Sequence, residues 1–234
     1  MDSFSLFDEN YKIVCDKIQN AANSVGKNFE DITLLAATKT VPVETINYSF
    51  EKGIKYMGEN RVQEFLSKEE ALNKGFHRHF IGTLQTNKVK QIVGKVELIQ
   101  SVDSVKLAKE ISKQSGARNI TSNVLIEINI GSEENKSGLD KSKINEILAE
   151  ISEMNGIFVK GLMTLGPIFE NNLQKSKFFE EMYKIYIDNR GKIKDNIDIG
   201  ILSMGMSDDF DLAIKCGATM VRVGSALYGK RNYN

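Results

Sequence analysis

Two hydrophobic periods take turns along the chain. Apolar residues recur at helical spacing from Tyr11 to Val25 and again from Ile144 to Met154. Short, nearly continuous apolar runs lie between such segments, as expected for parallel strands covered by helices. Eight glycines stand where helices can end in the left-handed conformation, each followed by a β-rich run: Gly26, Gly53, Gly75, Gly94, Gly116, Gly156, Gly191 and Gly217. The pattern predicts repeated helix-then-strand units.

The predicted strands cover eight segments: 32–39, 56–60, 79–84, 96–102, 123–130, 158–165, 198–204 and 220–228. Eight such units fit a closed barrel or an open doubly wound sheet. The first strand–helix turn, residues 38–42, lacks GxGxxG, and the chain contains no P-loop motif. We therefore predict an α/β fold, a single (β/α)8 TIM-type barrel spanning residues 1–234 as one domain. Since few residues follow strand eight, an extra N-terminal helix over residues 6–25 should cover the resulting gap.

Composition narrows the classes of partner. Basic and acidic residues number 31 each, so no net charge attracts nucleic acid or an anionic membrane. No apolar run approaches the ~18 residues of a membrane span, and the N-terminus does not resemble a signal peptide. Cys15 and Cys216 form no CxxC pair and are expected to be small core residues. These features predict a cytoplasmic protein without nucleic-acid or membrane partners.

Functional groups of such barrels lie at the C-terminal ends of the strands. Lys39 ends strand one. It could cap the strand and reach solvent, or it could lie partly desolvated in the barrel mouth. Burial lowers the pKa of an amine, which makes it nucleophilic enough to form a Schiff base.

The ends of strands seven and eight carry the sharper signal. Each combines hydroxyl or small residues with glycine, over residues 203–209 and 221–226. Barrels commonly bind phosphate in these two loops, although tight turns would need the same residues. Ser207 is a plausible N-cap for the helix that ends near Cys216. Arg222 lies among apolar residues and needs an acceptor, from either an ion pair or a ligand.

Other polar residues fall at strand ends or inside the barrel. Asn60 closes strand two, and His79 opens strand three. No carboxylate or thiol lies at ligand spacing from the two histidines, so no metal is expected. Glu127 and Asn129 share one face of strand five, which predicts a barrel interior that is not wholly dry.

Taken in order, six stretches closely resemble the YggS/PROSC family of pyridoxal phosphate homeostasis proteins: AATKTVP at 36–42, GENRVQE at 58–64, HFIGTLQTNK at 79–88, GLMT at 161–164, LSMGMSDD at 202–209 and VRVGSALYG at 221–229. The resemblance implies a barrel like the N-terminal domain of alanine racemase, with pyridoxal 5′-phosphate held as a Schiff base on Lys39. It places Asn60 beside the ring and Arg222 near the pyridine nitrogen. It places the phosphate against Ser203, Gly205, Gly224 and Ser225. His79 and Met204 complete the expected cofactor-binding set.

The residues fit three functions to different degrees. The favoured hypothesis is a non-enzymatic protein of vitamin B6 homeostasis that buffers pyridoxal 5′-phosphate or delivers it to apo-enzymes, working as a monomer. The alternative is a cofactor-dependent amino-acid racemase. Racemisation needs acids or bases on both faces of the ring, and the sequence shows no second, β-rich domain to supply one. A barrel for another phosphorylated ligand would leave Lys39 unexplained.

Overall fold

The computed structural model describes residues 2–131, 137–167, 169–191 and 195–229. Its barrel consists of eight parallel strands: β1 Thr33–Ala37, β2 Tyr56–Glu59, β3 His77–Phe80, β4 Leu98–Val102, β5 Ser122–Asn129, β6 Ile157–Met163, β7 Ile197–Ser203 and β8 Met220–Val223. Each strand pairs with the next along the chain, and β8 pairs with β1. Because no barrel strand is left as an edge, the sheet is closed. This confirms the predicted TIM-type barrel over the open sheet.

Helices surround the barrel in the described residues: α1 Ser3–Asn23, α2 Val43–Glu51, α3 Val62–Lys68, α4 Val89–Ile92, α5 Val105–Gly116, α6 Ile144–Ser152, α7 Asn172–Asn189, α8 Phe210–Lys215 and α9 Ser225–Tyr228. The extra N-terminal helix is confirmed as α1. It begins earlier than predicted because the Asp2 carboxylate accepts the backbone N–H groups of Phe4 and Ser5. Helix α1 packs against α8, α9 and α2 in the outer layer, where Phe7 stacks on the ring of Tyr228.

Glycine positions explain most of the helix ends. Six of the eight expected glycines have positive φ, but Gly75 and Gly116 do not. Helix α5 continues through Gly116, and Asn119 takes the left-handed conformation instead, with φ of 53°. The predicted eighth strand was too long. The backbone turns at Gly224, and the residues after it form α9 rather than strand.

The hydrophobic core has two parts. The larger part fills the layer between the barrel and its helices. A small cluster of Leu98, Leu125 and Met163, with Ile201 against it, lies apart from the larger one.

The cysteine prediction was wrong in detail, since Cys15 and Cys216 are both only half-buried. No helix within the described residues is long and apolar enough to cross a membrane.

Candidate functional site

The barrel mouth holds a cavity of about 510 Å³ at the C-terminal ends of the strands. The half-buried Lys39 lies at its wall, two residues beyond the end of β1. The cavity is lined by Ala37, Lys39, Asn60, Arg61, Ile81, Gly82, Thr83, Glu127, Leu165, Met206, Ser207, Asp208, Arg222, Gly224 and Ser225. We call this space the mouth cavity. Its volume suits a small aromatic ligand.

A second, smaller cavity of about 220 Å³ adjoins it on the α2 and α9 side. The two cavities share four lining residues: Ala37, Lys39, Gly224 and Ser225. Lys39 and the exposed Ser225 therefore lie at the boundary between two spaces. An amine and a hydroxyl group thus line the same two cavities, beyond the ends of the neighbouring strands β1 and β8.

Arg222 is the buried cation of the site. Its Nη1 donates to the Ser203 hydroxyl at 2.7 Å, and its Nη2 donates to the Thr164 carbonyl at 2.9 Å. Burial lowers the pKa of the guanidinium to about 10, against the attraction of Glu127 and Asp209. The side chain thus stays charged near neutral pH. Since it also lines the mouth cavity, it can offer a donor to a ligand there.

A hydrogen-bonded chain continues from Arg222 through the interior of the barrel. Ser203 donates to Gln100 Oε1 at 2.7 Å, and Gln100 Nε2 lies 2.9 Å from His79 Nδ1. Ser203 on β7 and Gln100 on β4 belong to strands that are not neighbours, so their bond crosses the interior. Burial lowers the pKa of His79 to about 3, so the imidazole is neutral. This series of hydrogen bonds agrees with the predicted partly polar interior. Glu127 agrees with it as well, since it is buried and burial raises its pKa.

The two candidate phosphate loops contact each other through Ser207. Its hydroxyl accepts the backbone N–H groups of Gly224 at 3.0 Å and of Ala226 at 3.2 Å. The prediction that Ser207 caps α8 was therefore wrong, because that helix begins after Asp209. Local spacing suggested a cap, but the hydroxyl bonds to the neighbouring loop, after β8, instead.

Asn60 brings an unsatisfied acceptor to the mouth cavity. Its Oδ1 is buried and has no hydrogen-bond partner among the described residues. Gly82 packs directly against its backbone, since a Cβ there would lie 2.1 Å from the Asn60 carbonyl oxygen. A buried acceptor without a partner costs free energy that a bound ligand can recover.

Comparison with known proteins agrees with this geometry. The family described as alanine racemase, N-terminal domain, matches residues 13–232. A pyridoxal phosphate homeostasis protein from Aquifex aeolicus is 43% identical over 221 residues, which are 94% of this chain and 96% of that protein. The chain belongs to the pyridoxal phosphate homeostasis proteins.

Two solved structures share the fold of this homeostasis protein. A crystal structure of an unknown protein from Bifidobacterium adolescentis has 33% identity and a TM-score of 0.92, covering 97% of both chains. PipY from Synechococcus elongatus with pyridoxal phosphate bound has 27% identity and a TM-score of 0.79. That match covers 91% of this chain and all of PipY. The barrel mouth described above thus belongs to a fold that holds this cofactor in PipY.

The residues predicted for cofactor binding divide into two groups in this homeostasis protein. Five line the mouth cavity: Lys39, Asn60, Arg222, Gly224 and Ser225. Four others lie elsewhere: His79, Ser203, Met204 and Gly205. His79 lines a cavity of about 180 Å³ that it shares with Thr33 and Met220, the first residues of β1 and β8.

The other three lie beneath the mouth cavity. Ser203 bonds to Arg222, as described above, and Met204 is fully buried, its N–H bonded to the Met220 carbonyl. Gly205 accepts the backbone N–H of Arg222 and has a φ of 89°. These residues are placed to support the wall rather than to face the cavity.

Several residues that line the mouth cavity were not predicted from the sequence as binding residues. The polar residues Arg61, Thr83 and Ser207 are among them. All three lie inside stretches that carried the family resemblance, which was the available signal. Which of a loop's side chains turns toward the cavity depends on loop geometry, and strand alternation ends where the strand does.

Proposed function

We propose that this chain binds pyridoxal 5′-phosphate in the mouth cavity, as a Schiff base on Lys39, and serves intracellular vitamin B6 homeostasis. The observation that carries the proposal is the position of Lys39 at the wall of a cavity that also contains a buried arginine and an unsatisfied asparagine oxygen. These groups fit the cofactor, which offers an aldehyde, a ring nitrogen, a ring hydroxyl and a phosphate. The cytoplasmic location expected from the sequence stays part of this proposal.

Each group has a chemical role in the proposal. Lys39 would hold the cofactor through its amine, which would supply the nucleophile for a Schiff base with the aldehyde, the aldehyde oxygen being lost as water. Asn60 Oδ1 would accept a hydrogen bond from the ring hydroxyl. Arg222 would donate to the pyridine nitrogen, and a donor of such high pKa leaves that nitrogen unprotonated. A ring held in this form is a weak electron sink.

The phosphate would lie against Gly224 and Ser225, at the boundary of the two cavities. Gly224 lines both cavities without a side chain, and the exposed Ser225 lines both beside it. Ser207 joins this set because its hydroxyl already contacts the Gly224 N–H. Four residues do not line the mouth cavity and would affect binding by supporting the residues that do: Ser203, Met204, Gly205 and His79.

Attachment is tested by reduction with borohydride. Purified protein mixed with pyridoxal 5′-phosphate should absorb in the visible range, and reduction should fix a pyridoxyl group to the Lys39 peptide. Lys39→Ala should lose both signals. Lys160→Ala is the matched control, because Lys160 lines the cavity that contains His79 instead. A label that persists on another lysine in Lys39→Ala would contradict the proposal.

We also propose a carrier role without substantial turnover, as the weak electron sink suggests. Holo-protein should restore the activity of an apo-enzyme that needs the cofactor, and Lys39→Ala should supply none. Amino acids incubated with it in deuterated water should show no rapid exchange of the α-proton. Exchange at rates typical of enzymes, roughly 1–1000 per second, would favour the racemase alternative.

A further inference from the structure

A buried ion cluster lies directly behind Lys39. The Lys68 ammonium donates to Glu59 Oε1 at 2.9 Å and to Glu64 Oε1 at 2.7 Å. Glu59 is fully buried and Lys68 is 9% exposed. Burial raises the pKa of Glu59, while the bonds from Lys68 and Thr38 act against that rise. Clusters of this kind are costly to desolvate and are weak evidence for stability alone.

The cluster holds the residues on both sides of Lys39. Thr38 donates its hydroxyl to Glu59 Oε1 at 2.8 Å, and its carbonyl accepts from Lys68 Nζ at 3.0 Å. The backbone N–H of Thr40 donates to Glu64 Oε1 at 2.5 Å. One ammonium and two carboxylates thus bond to the peptide units that begin and end the Lys39 turn.

Thr40 gives that turn its strain. Its φ is 64°, in the left-handed region that β-branched residues avoid. Such a conformation persists where neighbouring bonds fix it, and it recurs at functional sites. The bond from Thr40 N–H to Glu64 supplies this constraint on the outer side of the turn.

The cluster does not itself line the mouth cavity. Lys39 does, and Glu59, Glu64 and Lys68 bond to its two chain neighbours, Thr38 and Thr40. Glu64 and Lys68 are four residues apart on α3 and share a helix face, and Glu59 ends β2. Glu59 and Glu64 belong to the GENRVQE stretch at 58–64, of which only Asn60 and Arg61 line the mouth cavity.

We propose that Glu59, Glu64 and Lys68 are positioning residues that fix the backbone origin of Lys39, so that its amine reaches the ligand's aldehyde carbon. The inference rests on the proposed function. A lysine side chain is long and flexible, so an anchored backbone limits the positions that its amine samples. Misplacement of reacting atoms by about 1 Å can reduce a reaction about 100-fold.

The test compares two ligands on the full-length chain. Pyridoxal 5′-phosphate can form the Schiff base, whereas pyridoxine 5′-phosphate carries an alcohol in place of the aldehyde and cannot. In Lys68→Met and Glu64→Ala, the rate of Schiff-base formation should fall about 10- to 100-fold. The affinity for pyridoxine 5′-phosphate should stay unchanged. Glu64→Gln, which keeps an acceptor for the Thr40 N–H, should recover most of the rate.

Lys52→Met is the control, since Lys52 pairs with Asp8 at an exposed site. If Lys68→Met does not fold, Glu64→Ala carries the test, because the Glu64 side chain is partly exposed. Equal weakening of both ligands, or an unchanged rate, would overturn the positioning role. Failure of the unaltered protein to form any Schiff base would instead sink the proposed function.

Discussion

The guanidinium of Arg222 donates a 2.7 Å hydrogen bond to the hydroxyl of Ser203 on the neighbouring strand. The acceptor is neutral, and no carboxylate among the described residues lies within ion-pair distance of Arg222. The positive charge at the cavity wall is therefore held in place without being neutralised. The Ser203 hydroxyl in turn donates to Gln100 Oε1, so hydrogen bonds inside the barrel fix the orientation of the Arg222 side chain.

Ser203→Ala should destabilise the fold. It leaves Arg222 Nη1 and Gln100 Oε1 buried without their partner, which should lower the free energy of unfolding by about 1–3 kcal/mol. Urea denaturation of both proteins at neutral pH measures the change. Ser225→Ala is the control and should leave stability unaltered, since Ser225 is exposed. Equal stability of the two variants would contradict a structural role for Ser203.

Ser225→Ala should instead act on ligand selectivity. Loss of its hydroxyl should weaken binding of pyridoxal 5′-phosphate by about 1–3 kcal/mol and leave pyridoxal, which lacks the phosphate, unaffected. Gly224→Val should weaken binding of pyridoxal 5′-phosphate further, because even a Cβ added at Gly224 would lie 3.2 Å from the Ala37 carbonyl oxygen. Dissociation constants from absorbance titrations give the comparison. Equal affinity of the unaltered protein for both ligands would show that the rim binds no phosphate.

His79 should make stability depend on pH. Its folded-state pKa of about 3 lies below the ordinary value of 6.5, so between these values the unfolded chain binds more protons. Its contribution is thus complete above pH 6.5 and is lost as the pH falls. Between pH 7.5 and pH 5 the loss should be about 2 kcal/mol.

His79→Gln should remove that part of the acid sensitivity, measured by urea denaturation at the two pH values. His77→Gln offers a matched comparison at the other histidine, which is exposed, and should retain it. If both variants keep the full pH dependence, the buried histidine is not its source.

Gly161→Ala should be strongly destabilising. A Cβ at Gly161 on β6 would lie 1.9 Å from the Ile201 carbonyl oxygen on β7, so the two strands must separate. Overpacking of this kind costs about 1–3 kcal/mol or more. Gly200→Ala, where a Cβ meets no atom within 4 Å, should be nearly neutral. Thermal unfolding of the two variants checks the difference, and similar midpoints would refute this packing.

The sequence by itself determined the order of the barrel strands and placed Lys39 close to the end of the first one, although β1 ends two residues earlier, at Ala37. Helical and strand periods, together with glycines such as Gly53 and Gly217, mark the units, because amphipathic spacing and left-handed helix ends are local properties. It also marked Lys39, Arg222 and Gly224 as neighbours, since equivalent ends of parallel strands meet at one side of a barrel.

Tertiary structure alone decided which way individual side chains act. Ser207 had the spacing of a helix cap, yet its hydroxyl accepts the Gly224 N–H in the neighbouring loop. Ser203 begins a segment that has the composition of a phosphate-binding loop. Its hydroxyl nevertheless bonds inside the barrel to Gln100 on β4, which is not a neighbouring strand. Likewise, no local pattern pairs Lys68 with Glu59. These contacts join residues far apart in the chain, and hydrogen-bond partners at such separations are fixed only once the barrel closes.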